Sequence, residues 1–402
     1  VEESIRMLEK CIDINDRYIQ AYSDLGKIYL EKEEIDKSII YFEKALQIEP
    51  TYFKALNNIA CSYMIKGSLE TAKEYFQKIL LNKPNQSDVH KNYSFTLLSS
   101  GDYINGLKEY EWRLKSSQLE VKPKTPQWRG ILQENDEELL IISEQGLGDT
   151  IQFIRYIKYL KENNMKYSLC IQEKLHELIK ISGLDSNPFS KSTYIESNNK
   201  KWIPLLSLPM YLGVTPTRPL VIEPYINIKD NIYFYWKERL NKGKKPLIGI
   251  NWQGNPDTEN NILKGRSIPF DIFEKILFNK NLSFVSLQKG FGSHSYKSFS
   301  NPDVFLDAQS EIDKTWDFHQ SASIIKNCDL IITSDTVVAH LAGAMGVKTW
   351  LLLHYVPDWR WGTKGNKTFW YPSVKIFRQS NRGNWKELMQ KVSDALKSEF
   401  IL

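Results

Sequence analysis

The sequence is short of cysteine, of long apolar runs and of net charge, and each shortage removes a class of protein. Its four cysteines, Cys11, Cys61, Cys170 and Cys328, are scattered through 402 residues. They sit in mostly apolar settings with no metal-ligand spacing and no disulfide framework, which favours a reducing, cytoplasmic setting. No apolar run approaches the ~20 residues that cross a bilayer, so no transmembrane segment is expected. Nothing like a signal peptide stands at Val1. The pattern is already helical there, so a fragment with residues missing upstream is expected. A formal charge of +5 is small for this length; it tolerates an anionic small ligand and makes no case for nucleic acid.

What is present is an ordinary globular composition, 42% hydrophobic and 25% charged, on a chain long enough for two or three domains. Aromatic residues are plentiful, and several stand in polar loops.

Residues 19–118 repeat with a period of 34. Tyr22, Leu25, Gly26, Tyr29, Ser38, Phe42, Ala45 and Pro50 follow the tetratricopeptide pattern. Leu56, Ile59, Ala60, Tyr63, Ala72, Phe76, Ile79 and Pro84 follow it one period later. A weaker third round runs through His90, Tyr93, Ser94, Leu97, Gly106, Tyr110 and Arg113. Small residues at Gly26, Ala60 and Ser94 let the two helices of a repeat cross closely, and the aromatics Phe42, Phe76 and Tyr110 fill the gap. Such arrays are solenoids with a concave face lined by the first helices. Lys27, Lys54, Asn57 and Lys91 are candidates for that face, as a peptide-binding or self-associating surface or as plain solvated positions. An Asn57 amide could hold the backbone of an extended peptide.

The period is lost after residue 118. Residues 119–130 hold Pro123 and Pro126 and read as a connector, with Trp112 and Trp128 sealing its ends. Two α/β stretches follow. The first, 131–225, opens with a strand over 138–143 that runs into Gln145, Gly146, Gly148 and Asp149, then a helix from 151. Its two glycines fall short of the full dinucleotide fingerprint, and no GK[ST] follows. A glycine turn between strand and helix brings backbone close to a ligand. Asp149 there is either the helix cap or a carboxylate placed to take a proton. Residues 214–230, with three prolines, read as a crossing between domains.

The second stretch, 226–380, has strands over 246–250, 283–287, 304–306, 329–333, 350–353 and 373–377, with a helix over 316–326 leading into the fourth of them. Asn251, Gln253 and Gly254 lie beyond one strand end and Lys289 beyond another, while Arg266 sits in a loop with Lys264 that could reach them. Residues 329–350, DLIITSDTVVAHLAGAMGVKTW, read as strand, tight turn, helix, strand. Ser334, Asp335 and Thr336 form the turn, and Asp335 or Thr336 can cap the helix. The N–H groups of its first turn suit a phosphate. The small residues beyond, Gly343 among them, permit either close packing or close approach of a ligand. Trp359 and Trp361 stand in a polar loop, where they can stack on a ring or anchor the loop. An amphipathic helix, 381–402, ends the chain.

Taken together, the stretches EQGLGDTIQFIRY (144–156), SLP (207–209), GINWQGNP (249–256), RSIP (266–269), SLQKG (286–290), SDTVVAHLAGAMG (334–346), DWRWG (358–362), FWYPS (369–373) and FRQ (377–379) resemble bacterial tetratricopeptide-repeat glycosyltransferases. In these a GT-B domain is related to the heptosyltransferase (family 9) group. The resemblance implies an α-helical tetratricopeptide solenoid followed by a GT-B-type pair of Rossmann-like domains. It implies transfer of a sugar from a nucleotide-sugar, with the nucleoside diphosphate product bound and no cofactor. The donor diphosphate is expected against Arg266, Lys289, Ser334, Asp335, Thr336, His340 and Gly343. Asp149 occupies the place of the catalytic base. Gln145, Gly146, Gly148, Gln152, Asn251, Gln253, Gly254, Trp359 and Trp361 are the expected acceptor-side or pocket residues. No DxD carboxylate pair stands in a matching loop, so no metal is expected. The fused repeats shift the expected acceptor toward a polypeptide or glycan. The rival reading is a repeat-based scaffold with a nucleotide-sensing module; a nicotinamide oxidoreductase is disfavoured by the incomplete glycine fingerprint.

Overall fold

Gly26 sets the geometry of the repeats: a Cβ there would stand 2.6 Å from the Phe42 ring, so only a bare backbone lets the two helices of that hairpin cross this closely. In the computed structural model those helices are α2 (Ile19–Glu31) and α3 (Ile35–Ile48). They follow α1 (Glu2–Ile14) and are repeated as α4 (Phe53–Lys66) with α5 (Leu69–Asn82), and α6 (Ser87–Ser100) with α7 (Tyr103–Tyr110). Left-handed Gly67 and Gly101 end α4 and α6. Tyr29 stacks on Tyr41 at 5.3 Å, and Tyr63 stacks on Tyr75 at 5.8 Å, so the same pair recurs one period on. A short helix, α8 (Arg113–Ser116), follows. The structure describes residues 1–116, 122–130, 138–195, 201–240, 246–259, 265–278, 281–306 and 308–400; Lys264 and the expected domain limits at 118–119 and 131 fall outside them. Two units are distinguished: Val1–Gln118 with Asp358–Thr363, and Leu119–Pro357 with Lys364–Leu402.

The second unit holds two parallel sheets. In the first, β1 (Leu139–Ile142) lies between β2 (Tyr167–Cys170) and β3 (Lys201–Pro204), with Leu139 opposite Tyr167 and Lys201. Its helices are α9 (Leu147–Phe153), α10 (Arg155–Glu162), α11 (His176–Ile181) and α12 (Leu208–Tyr211). Helix α13 (Asp230–Leu240) follows the crossing segment. The second sheet has the order β5-β4-β6-β7-β8, all parallel. Its strands are β4 (Leu247–Asn251), β5 (Ser283–Ser286), β6 (Leu330–Ser334), β7 (Thr349–Leu353) and β8 (Val374–Arg378). Helices α14 (Phe270–Phe273), α15 (Gln309–Ile312), α16 (Phe318–Lys326), α17 (Val337–Ala344) and α18 (Trp385–Phe400) complete it. Strands β4, β6 and β7 are buried along their whole length, the signature of a parallel sheet covered on both faces. One side packs Ile248, Ile250, Phe284, Ile332 and Trp350 against Trp385, Met389 and Val392 of the last helix.

Three local expectations differ from the structure. The helix expected from 151 is divided in two near Ile154. The strand expected over 304–306 is one bridge, Phe284 to Phe305, beside the 3₁₀ turn Pro302–Val304; a proline-led segment this short makes too few ladder bonds to extend. The helix expected from Trp316 begins at Phe318, because the Asp317 carboxylate accepts from the Gln320 N–H at 2.6 Å and fixes the start there. Trp316 is left outside the helix, 63% exposed.

Candidate functional site

Each sheet reverses its strand order once. From β4 the chain goes to β5 on one side and returns to β6 on the other, so the loops after β4 and β6 part and leave a crevice at their carboxyl ends. Asn251 closes β4 and Ser334 closes β6. A cavity of about 360 Å³ occupies this crevice. Its polar wall includes Asn251, Gln253, Gly254, Arg266, Gln288, Lys289 and Thr336. The head of α17, Val337 and Val338, forms one end.

Among the described residues three cationic side chains line this cavity, Lys174, Lys289 and Arg266. Lys289 is half-buried and its ammonium donates to the Ile312 carbonyl at the end of α15. Burial holds its pKa below the ordinary lysine value, partly offset by the Asp313 carboxylate. The Arg266 guanidinium lies over Gly254, where a Cβ would stand 2.8 Å from it. Its Nε is also 3.6 Å from the Glu259 carboxylate, so part of its charge is already compensated.

The other predicted donor residues are distributed differently. Ser334 is fully buried and its hydroxyl has no partner among the described residues. Asp335 is buried in the turn. Thr336 stands at the N-cap of α17, but its hydroxyl does not cap the helix; it donates to Asn251 Oδ1 at 2.9 Å. His340 is buried and lies outside the cavity wall, with Nδ1 3.0 Å from the Tyr371 hydroxyl. Gly343 is covered by the Tyr371 ring, which a Cβ would meet at 2.5 Å.

From the other half, the Gly146-to-Asp149 turn approaches the same helix. A Cβ on Gly148 would be 3.1 Å from His340 Cδ2 and 3.5 Å from Val337 Cα. Leu147 lines the cavity. Asp149 Oδ2 accepts from the Gly146 N–H at 3.0 Å, so the carboxylate does cap the start of α9. The Gln145 carbonyl accepts from Gln172 Nε2 at 2.9 Å. Gln152 is buried, with its carbonyl accepting from Arg155 Nε at 2.8 Å.

Trp359 and Trp361 are not in the cavity wall. They are buried in the repeat unit, where Trp359 meets Tyr103 and Tyr110 edge-on at 6.0 and 5.8 Å. Anchoring the loop is the alternative the structure selects for Trp359. On the repeats, Lys27, Lys54 and Lys91 are exposed; Lys27 is 3.7 Å from Glu31. Asn57 is half-buried, and its Oδ1 is shielded from solvent without a partner among the described residues.

Sequence reasoning missed the apolar wall of the cavity, which includes Leu287, Phe291, Ile312, Trp316, Phe318 and Ile324. These come from separate elements with no common spacing, so no local pattern marks them. It also missed Gln288, whose only signal is a glutamine where a buried strand ends. Among the described residues no cluster of three or more His, Cys, Asp or Glu side chains is arranged to hold a metal ion. Nor is any helix among them long and apolar enough to cross a membrane.

The chain thus joins tetratricopeptide repeats to a unit with two parallel α/β sheets. The tetratricopeptide repeat family matches residues 19–52 and 41–74. Protein FlbA of Caulobacter vibrioides is 26% identical over 330 residues, covering 75% of this chain and 53% of FlbA. The chain therefore spans about half the length of the curated relative it matches. Among solved structures, a glycosyl transferase family 9 protein from Veillonella parvula is 13% identical, covering 67% of this chain and 99% of its own, with a TM-score of 0.44. E. coli ADP-heptose LPS heptosyltransferase II is 10% identical, covering 66% of this chain and 98% of its own, with a TM-score of 0.42. MamA of AMB-1 is 18% identical, covering 30% of this chain and 66% of its own, with a TM-score of 0.27.

Proposed function

We propose that this protein is a metal-independent glycosyltransferase that moves a sugar from a nucleotide-sugar to a polypeptide or glycan acceptor recruited partly by the repeats. The observation that carries this reading is the cavity at the switch point of the larger sheet. One wall brings together Lys289, Arg266 and the head of α17, which the Thr336 side chain does not cap, and the other is apolar. A diphosphate suits the first wall and a nucleoside the second. The acceptor hydroxyl oxygen attacks the anomeric carbon as the bond to the diphosphate oxygen breaks. The hydroxyl proton passes to the Asp149 carboxylate, and the leaving nucleoside diphosphate takes the bonding electrons. Lys289, Arg266 and the N–H groups of α17 stabilise the charge that develops there. Capping and proton transfer are compatible roles for Asp149, because a carboxylate has two oxygens and one of them holds the Gly146 N–H.

The test is a titration of the whole chain with nucleoside diphosphates and nucleotide-sugars, followed by mass measurement of candidate acceptors. Binding with transfer supports the enzyme. Binding without hydrolysis or transfer favours the scaffold reading, which the capping bond of Asp149 also suits. No binding of any nucleotide removes both.

A further inference from the structure

Thr336 stands where a threonine normally caps its own helix, yet its side chain is turned away, and the reason lies two residues further back in a buried chain of amides. Gln288 is 2% exposed. Its Nε2 donates to the Gln253 and Phe291 carbonyls, each at 2.8 Å. Two carbonyl partners fix that end as the nitrogen, so Oε1 must face the other way. There it accepts from Asn251 Nδ2 at 3.0 Å, from the Trp252 N–H at 3.2 Å and from the Gln253 N–H at 3.0 Å. That in turn orients Asn251, 4% exposed, with Nδ2 toward Gln288 and Oδ1 toward β6. Oδ1 lies 2.9 Å from the Thr336 hydroxyl and 3.2 Å from that of Thr333. The Thr336 side chain makes no capping bond to α17, while its backbone is extended at φ −140°, ψ 175°, a normal N-cap conformation. The cap is therefore withheld by the side chain alone.

We propose that Asn251, oriented by Gln288, is a positioning residue that draws the Thr336 hydroxyl off its own helix and so keeps the head of α17 open for an anion. This rests on the reading of that end of the cavity as a diphosphate seat. Without Asn251 the Thr336 oxygen rotates to accept from the first-turn N–H groups that the anion would otherwise take. The relay also ties the loops after β4, β5 and β6 together, so the seat and the Gln253–Gly254 loop are set as one piece.

The test uses the whole chain and Asn251→Leu, which is similar in volume and has no acceptor. In the ligand-free protein, hydrogen–deuterium exchange of the peptide covering 334–341 should slow, because the released threonine protects the first-turn amides. Mere structural damage would speed it. In a Thr336→Val background, which cannot cap, Asn251→Leu should not slow this exchange. In titrations with a nucleoside diphosphate, Asn251→Leu should weaken binding about ten-fold, the worth of one cap. In a Thr336→Val background, which has its own affinity measured first and cannot cap, the same change should add less than about two-fold. Equal losses in the two backgrounds, or exchange that is unchanged or faster in Asn251→Leu, overturn the relay. If the wild type binds no nucleoside diphosphate, the seat fails, while the exchange measurement still decides the relay.

Discussion

Gly148 and His340 meet so closely that a single methyl group would not fit without a shift: a Cβ on Gly148 would stand 3.1 Å from His340 Cδ2. Helix α9 of the smaller sheet thus rests on α17 of the larger one, with the backbone of Val337 also within contact. The glycine turn and the small-residue helix are one packed joint. Gly148→Ala should lower stability by about 1 kcal/mol net, the cost of overpacking less the helix preference of alanine inside α9. A urea midpoint above that of the wild type would reject the close contact.

Asp149 separates its two roles through two substitutions. Asn retains an oxygen that accepts from the Gly146 N–H, so Asp149→Asn should keep its melting temperature while transfer falls about 100-fold or more. Asp149→Ala loses the cap as well and should also lose about 1 kcal/mol of stability. If Asp149→Asn retains full turnover, the carboxylate is a cap alone.

Gly343 is a packing residue by its contacts. The Tyr371 ring covers it at 2.5 Å from the position of a Cβ. Gly343→Ala should therefore cost about 3 kcal/mol, more than Gly148→Ala, because a buried ring rather than one imidazole edge must move. Tyr371→Phe keeps that ring and removes a hydroxyl bonded to His340, Tyr225 and Arg155, so its cost should be about 2 kcal/mol, still below that of Gly343→Ala. Chemical denaturation of the three variants checks the order.

Lys289 gives a pH dependence with a definite sign. Its folded pKa lies below the ordinary 10.5 because burial penalises the ammonium. Between the depressed value and 10.5 the unfolded chain holds the proton more tightly than the folded one, so this group's contribution to stability rises with pH there. Below that window the full burial penalty is present. Lys289→Met should raise the melting temperature at neutral pH and flatten the rise on the alkaline side. The same variant should bind a nucleoside diphosphate about ten-fold more weakly, since one charge-assisted contact is lost. Loss of both stability and affinity would mean that the bond to the Ile312 carbonyl outweighs the burial penalty.

Asn57 tests the repeats. Its side chain is half-buried, and an asparagine amide can hold the backbone of an extended peptide. Asn57→Ala should leave nucleotide binding unchanged and raise the KM for a polypeptide acceptor several-fold. Lys54→Ala and Lys91→Ala, both at exposed positions, should have smaller, salt-sensitive effects. An unchanged KM in all three would remove the repeats from acceptor recognition.

The repeats were legible because their information is local. Gly26 and Phe42 lie within one hairpin, and the stacked Tyr29–Tyr41 pair returns as Tyr63–Tyr75 at the period read from the chain. The strands of the larger sheet were legible for a similar reason, since each is a short apolar run that ends in polar residues. The failures lie where an element competes with weak alternatives. Phe305 makes one bridge rather than a strand, and Asp317 starts α16 after Trp316 rather than at it.

The site divides in the same way. The sequence determined that the SDT turn would precede a helix and that Asn251, Gly254 and Lys289 would stand beyond strand ends. Those outcomes follow from periodicity and turn chemistry within a few residues. Only the tertiary structure decided what these groups do to one another. It turned Thr336 to Asn251, placed Gly343 under Tyr371 and His340 beside Gly148, and moved Trp359 into the repeat unit. Each of these partners is distant along the chain. A side chain with several possible hydrogen bonds or packing faces takes the one that burial leaves it, and burial exists only once the chain has folded.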